Sequence, residues 1–146
     1  MIKLDELTDE WANDCNIDNT NIKLEILNIP KLHAKYIRHL NDHKKASFKV
    51  KIDYDKMKEI RSSYYLGYLD KETLDEYGWD QFDLNIKTKG GIEKFINGDE
   101  ILVKLLQKKT YHDLVISTCE SILKELSSRT WQLKTYIDYE KFLSGS

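Results

Sequence analysis

From Asp99 onward the chain carries one apolar stripe at helical spacing. Val115, Cys119, Ile122 and Leu126 follow one another in 4-3-4 steps, and Leu133 and Ile137 extend the row. Arg129 falls where the next stripe residue belongs. No other feature restricts the fold as tightly, because such a stripe defines a long amphipathic helix, with "SSRT" as the place for a bend. A stripe of this length is more than a small domain covers alone, so it requires a partner helix, within the chain or from another copy. The aromatic end, with Trp131, Tyr136, Tyr139 and Phe142, fits burial in a core or an interface better than ligand binding.

The rest of the chain is read in the same way. Leu4, Leu7 and Trp11 give a short N-terminal helix, and "NIDNT" offers Asp18 or Thr20 as the N-cap of the next. Helical period then runs from Ile22 to Leu40 across Pro30, which predicts a kinked or abutting pair of helices. "FKVKIDYD" alternates like a strand. A lone strand has no partner here, however, and Val50, Tyr54, Met57, Arg61 and Tyr64 also hold helical spacing. The segment is therefore assigned as helix, ending at Gly67 in a left-handed cap. Residues 68–98 read as irregular, apart from one short acidic helix in "DKETLDEYG", with turns at Gly90-Gly91 and Asn97-Gly98.

The net charge of -2 hides a strong asymmetry. Residues 31–61 hold ten Lys or Arg against four acids, +6 in sum, which leaves -8 for the remainder. Such separation steers a polyanion to one face. Within this segment Lys51, Lys58 and Arg61 are spaced to share a helix side, and Tyr64 and Tyr65 follow directly. Cations for phosphates beside rings for bases are what single-stranded nucleic acid binding asks for. A solvated charged face with tyrosines packed on the next helix gives the same pattern, and on composition alone it is the commoner origin.

Enzymatic signatures are missing. The sequence has no GxxxxGK, GxSxG or HExxH, and "KTKGG" lacks the Lys-Ser/Thr that a phosphate loop needs. His39 and His43 lie one helical turn apart but lack a third ligand at matching spacing, so no metal and no cofactor is assigned. His112, on an apolar face, reads as a satisfied core residue. Cys15 and Cys119 read as reduced thiols. No run of apolar residues is long enough for a membrane span, so a cytoplasmic location is expected.

Three segments together resemble the UvsY family of recombination mediators from T-even-type bacteriophages and their marine relatives. They are "WANDCNIDNTNIKLEILNIPKLHAKY" near the start, "MKEIRSSYYLG" in the centre, and "ILKELSSRTWQLKTYIDYEKFLSG" at the end. The likeness spans nearly the whole chain and is weakest across 68–98. It implies an all-α, non-enzymatic protein that assembles into a closed ring of about six or seven subunits. It further implies binding to single-stranded DNA, action on the phage single-strand DNA-binding protein, and help in loading the phage recombinase. In the family a Leu-Lys-Ala-Arg-Leu run before the tyrosine pair contacts DNA. Aligned on the tyrosines, Arg61 matches the arginine, whereas Glu59 stands at the lysine position and Lys58 is the adjacent substitute.

The expectation is thus one helical domain over 1–146: N-terminal helices with the basic segment (1–67), an irregular connector (68–98) and C-terminal assembly helices (99–146). Spacing and residue type assign DNA contact to Lys51, Lys58, Arg61, Tyr64 and Tyr65, and the resemblance supports Arg61, with Lys58 as the substitute lysine. It makes Val115, Cys119, Ile122, Leu126, Trp131, Leu133, Ile137 and Phe142 the surface between copies. The competing reading is a helical adaptor whose basic face docks an acidic protein without touching DNA. A metal-dependent enzyme using His39 and His43 comes third.

Overall fold

A computed structural model describes residues 1–145. Among these residues five helices form: α1 (Leu4–Asp14), α2 (Ile22–Tyr65), α3 (Lys71–Tyr77), α4 (Lys89–Asn97) and α5 (Glu100–Leu143). There is no strand among the described residues, and no described helix is long and apolar enough to cross a membrane. Helices α2 and α5 have 44 residues each, about 66 Å of helix at the usual rise.

Two compact units form, the first from Met1–Lys45 with the chain from His112 on, the second from Ala46–Tyr111. The boundaries between these units fall inside α2 and α5. Residues 68–98 carry the expected short acidic helix as α3 and, where turns were expected, a second helix, α4. Asp70 caps α3 by accepting from the Thr73 amide at 2.8 Å, and Thr88 caps α4 by accepting from the Gly91 amide at 3.2 Å. The Gly90-Gly91 pair, read as a turn, is the first turn of α4. A Cβ on Gly91 would come within 2.7 Å of the Ile86 side chain, so the position requires glycine for close approach.

In the first unit the α5 stripe meets α1 and α2. Leu7, Tyr36, Leu40, Val115, Cys119, Ile122 and Leu126 form one buried cluster, with Leu4 and Trp11 packed against it. Each such side chain contributes about 1.5–3 kcal/mol of burial. Val115, Cys119, Ile122, Leu126 and Leu133, expected to face another copy, are therefore covered within the chain itself. Arg129 interrupts the stripe for a local reason. It is buried, and its guanidinium donates to the Asp14 and Cys15 carbonyls at 3.3 and 3.0 Å. A cation thus closes the C-terminal end of α1, where the helix dipole favours positive charge. Trp131 and Phe142 remain 70% and 78% exposed.

The same C-terminal end of α1 is joined to α2 by the Asp14 side chain, which accepts from Lys35 Nζ and from the Tyr36 hydroxyl, both at 2.7 Å. The N-cap of α2 is Asn21 rather than Asp18 or Thr20. The Asn21 side chain accepts from the Leu24 amide, while Asp18 turns back onto the Thr20 amide. The helix then passes through Pro30 unbroken, giving up one backbone bond at that point. It also absorbs the alternating segment: Ser47 and Val50 are buried, whereas Phe48 and Ile52 face solvent. Gly67, at φ +76, ends α2 with paired bonds from the Gly67 and Tyr68 amides to Tyr64 and Ser63. Helix α5 is continuous through Ser127–Thr130, the place expected for a bend.

His43 and His112 are both buried in the first unit, with their Nδ1 atoms 2.9 Å apart. His43 Nε2 lies 2.8 Å from the Ile2 carbonyl, which can only accept. Neutral His43 therefore keeps its hydrogen on Nε2, and His112 donates from Nδ1. His112 is a satisfied core residue, as expected. The imagined His39–His43 metal pair is not formed: His39 faces Glu10 at 3.4 Å and both His43 ring nitrogens are engaged. Among the described residues no three potential metal ligands converge.

Candidate nucleic-acid interface

The second unit carries the basic, aromatic stretch of α2. Lys51 and Lys58 are two turns apart on one side of the helix and both are exposed. The Lys58 ammonium lies 6.0 Å from the Tyr54 ring centroid, at the outer limit of a cation–π contact.

Arg61 and Tyr65 have a different setting. Arg61 Nε donates to Asp99 Oδ2 at 2.6 Å, Arg61 Nη2 donates to the Tyr65 hydroxyl at 3.1 Å, and that hydroxyl donates to the same Asp99 oxygen at 2.6 Å. The Arg61 side chain keeps only 12% of its exposure and that of Asp99 none. Asp99 also has a backbone duty. Its Oδ1 accepts from the Leu102 amide at 3.0 Å, which makes it the N-cap of α5. One carboxylate thus starts α5 and ties it to α2.

Electrostatics follow from this triangle. Burial pushes the Asp99 carboxyl up, but hydrogen bonds from Tyr65, the Leu102 amide and Arg61 outweigh it and hold the group below its ordinary range. Burial works against the Arg61 charge, yet Asp99 and Tyr65 raise its pKa further. The Tyr65 hydroxyl is pushed up, first by burial and then by its bond to Asp99.

Rings close around the triangle. The Arg61 guanidinium lies 4.4 Å from the Tyr64 ring and 4.5 Å from that of Trp79. Tyr65 meets Phe82 and Phe95 at 4.9 and 5.6 Å, above a floor of Ile92, Ile96 and Leu102. Tyr64 is half-buried and Tyr65 buried. Of the five residues expected at DNA, Lys51 and Lys58 stand in solvent, Tyr64 shows part of its ring, and Arg61 and Tyr65 are committed to Asp99. Sequence reasoning missed Asp99, 38 positions from Arg61. The available signal was local: an aspartate directly before a long helical run. Trp79, Phe82 and Phe95 went unassigned because they lie in the stretch read as irregular.

The described residues thus form an all-helical chain with exposed lysines on the helix that carries an aromatic cluster. The chain belongs to the UvsY family: the family model described as "Recombination, repair and ssDNA binding protein UvsY" matches residues 10–146. It is 23% identical over 144 residues to the recombination protein uvsY of Enterobacteria phage T4, with 99% of each chain covered. Two crystal structures of the bacteriophage T4 recombination mediator protein UvsY share the fold. The lattice type II structure has a TM-score of 0.84 at 22% identity, with 99% of each chain covered. The type IV structure has a TM-score of 0.83 at 21% identity, covering 97% of this chain and 99% of the other.

Proposed function

We propose that this chain is a recombination mediator that binds single-stranded DNA and helps load a recombinase onto strands covered by single-strand DNA-binding protein. Lys51 and Lys58 track phosphates, and the open part of Tyr64 offers a stacking edge. Arg61 and Tyr65 act by holding α2, Tyr64 and the start of α5 in place rather than by reaching the strand. The observation that carries this reading is the pair of solvent-facing lysines next to a clamped aromatic cluster, in a chain of a single-stranded-DNA-binding family. Assembly into a ring, through Trp131 and Phe142 rather than the buried stripe, would link many such weak patches and raise their joint affinity.

The test is fluorescence anisotropy of labelled oligo-dT at several salt concentrations. Binding should weaken steeply with salt, and the joint Lys51→Ala, Lys58→Ala variant should show a salt slope shallower by about 1–2 phosphate contacts. Absence of binding at low salt by an intact assembly would leave the adaptor reading in its place.

A further inference from the structure

On another side of α2 lies a second concavity with a different chemistry. Its floor is aliphatic, formed by Met57 and Ile60 of α2 and by Ile101 and Leu105 of α5, around a volume of about 510 Å³. Its rim is basic: Lys56 stands on the α2 wall, Lys104 and Lys108 one turn apart on the α5 wall, and Asp53 is the lone acid. The three lysines are exposed, and none has an ion-pair partner among the described residues. Lys56 lies about 160° around α2 from Lys58, so this groove is separate from the DNA-facing lysines.

We propose that this groove docks an acidic amphipathic helical segment of a partner protein. The floor and rim decide the occupant. Half-covered aliphatic side chains between two helices accept the apolar knobs of a third helix, and unpaired lysines along both walls match carboxylates flanking those knobs. Single-stranded DNA fits less well, since the floor has no ring on which a base can stack and no polar group to read its edge.

The probe is a labelled peptide of about five helical turns, with leucines on one face and glutamates on the others, titrated by anisotropy against the full chain. The peptide should bind. Leu105→Gln should weaken it about tenfold or more, as should the joint Lys56→Gln, Lys104→Gln, Lys108→Gln variant. Leu105→Gln removes no charge, so oligo-dT binding by that variant should stay within about twofold of the parent. Circular dichroism checks that both variants fold. The proposal is overturned if the parent fails to bind the peptide at low salt, if both variants bind it as the parent does, or if a lysine-for-glutamate peptide binds equally well. Peptide binding without oligo-dT binding would remove the DNA reading and leave this one standing.

Discussion

Arg61 Nε and Asp99 Oδ2 lie 2.6 Å apart, and the Asp99 carboxylate that takes this charge also accepts the Leu102 amide at the start of α5. The arginine expected to grip DNA is thus tied into the fold. The two roles separate experimentally. If Arg61 acts by position, Asp99→Ala should weaken oligo-dT binding as much as Arg61→Ala does. If Arg61 itself reached the strand, Asp99→Ala would release its charge and tighten binding. Either substitution should also lower stability by about 3 kcal/mol in urea unfolding, because it leaves a buried charge without its partner.

Acid should unfold the chain partly through the same group. Asp99 and Asp14 both titrate below the ordinary carboxylate value of 3.8. In each case burial opposes the shift and hydrogen bonds outweigh it, from Tyr65 to Asp99 and from Lys35 and Tyr36 to Asp14. A depressed folded-state pKa gives stability that is fully present above the unfolded-state value and lost as pH falls through the folded-state one. Unfolding free energy should therefore be steady above about pH 5 and fall below about pH 4. Asp99→Asn should flatten part of that fall, leaving the share due to Asp14. An unchanged acid limb would count against the triangle.

Leu126 separates folding from assembly. At 1% exposure it sits in the first unit's core, so Leu126→Asp should unfold that unit, read as lost helicity and early urea unfolding. The joint Trp131→Ala, Phe142→Ala variant should keep its helicity and shrink in size-exclusion light scattering. An unchanged assembly size in that variant would exclude these two side chains as the contact.

Gly91→Ala should destabilise by about 1–3 kcal/mol, because its methyl would force Ile86 aside at the first turn of α4. Gly90→Ala, with open space at its Cβ position, should cost nothing or help slightly. Thermal unfolding of the two variants side by side makes the comparison.

The α5 helix was legible because period alone reports which face is apolar. Where that face goes was not. Val115 and Leu126 look the same in sequence whether Leu7 and Tyr36 cover them or another copy does. Residues 48–54 show the reverse case. Their alternation imitates a strand, but Phe48 and Ile52 are on the wet side, and Val50 and Met57 fix the helix by tertiary burial. Gly90-Gly91 were misread because turn chemistry and a glycine-rich first helical turn share a composition. Only the approach of Ile86 distinguishes them. The lysines Lys51 and Lys58 were found as a pair from spacing. The Arg61–Asp99 tie was not, since no local rule joins residues that far apart.

The two thiols of this chain differ in a way that can be put to use. Cys119 is fully buried beside Tyr36, and burial pushes its thiol up to about 11, so at neutral pH it is a protonated group out of reach of electrophiles. Cys15 is exposed at the end of α1, where Arg129 holds its carbonyl. A maleimide dye should couple to Cys15 alone, without mutagenesis. The unaltered sequence thus carries its own attachment point for a fluorophore or spin label, on a backbone position that the fold holds still.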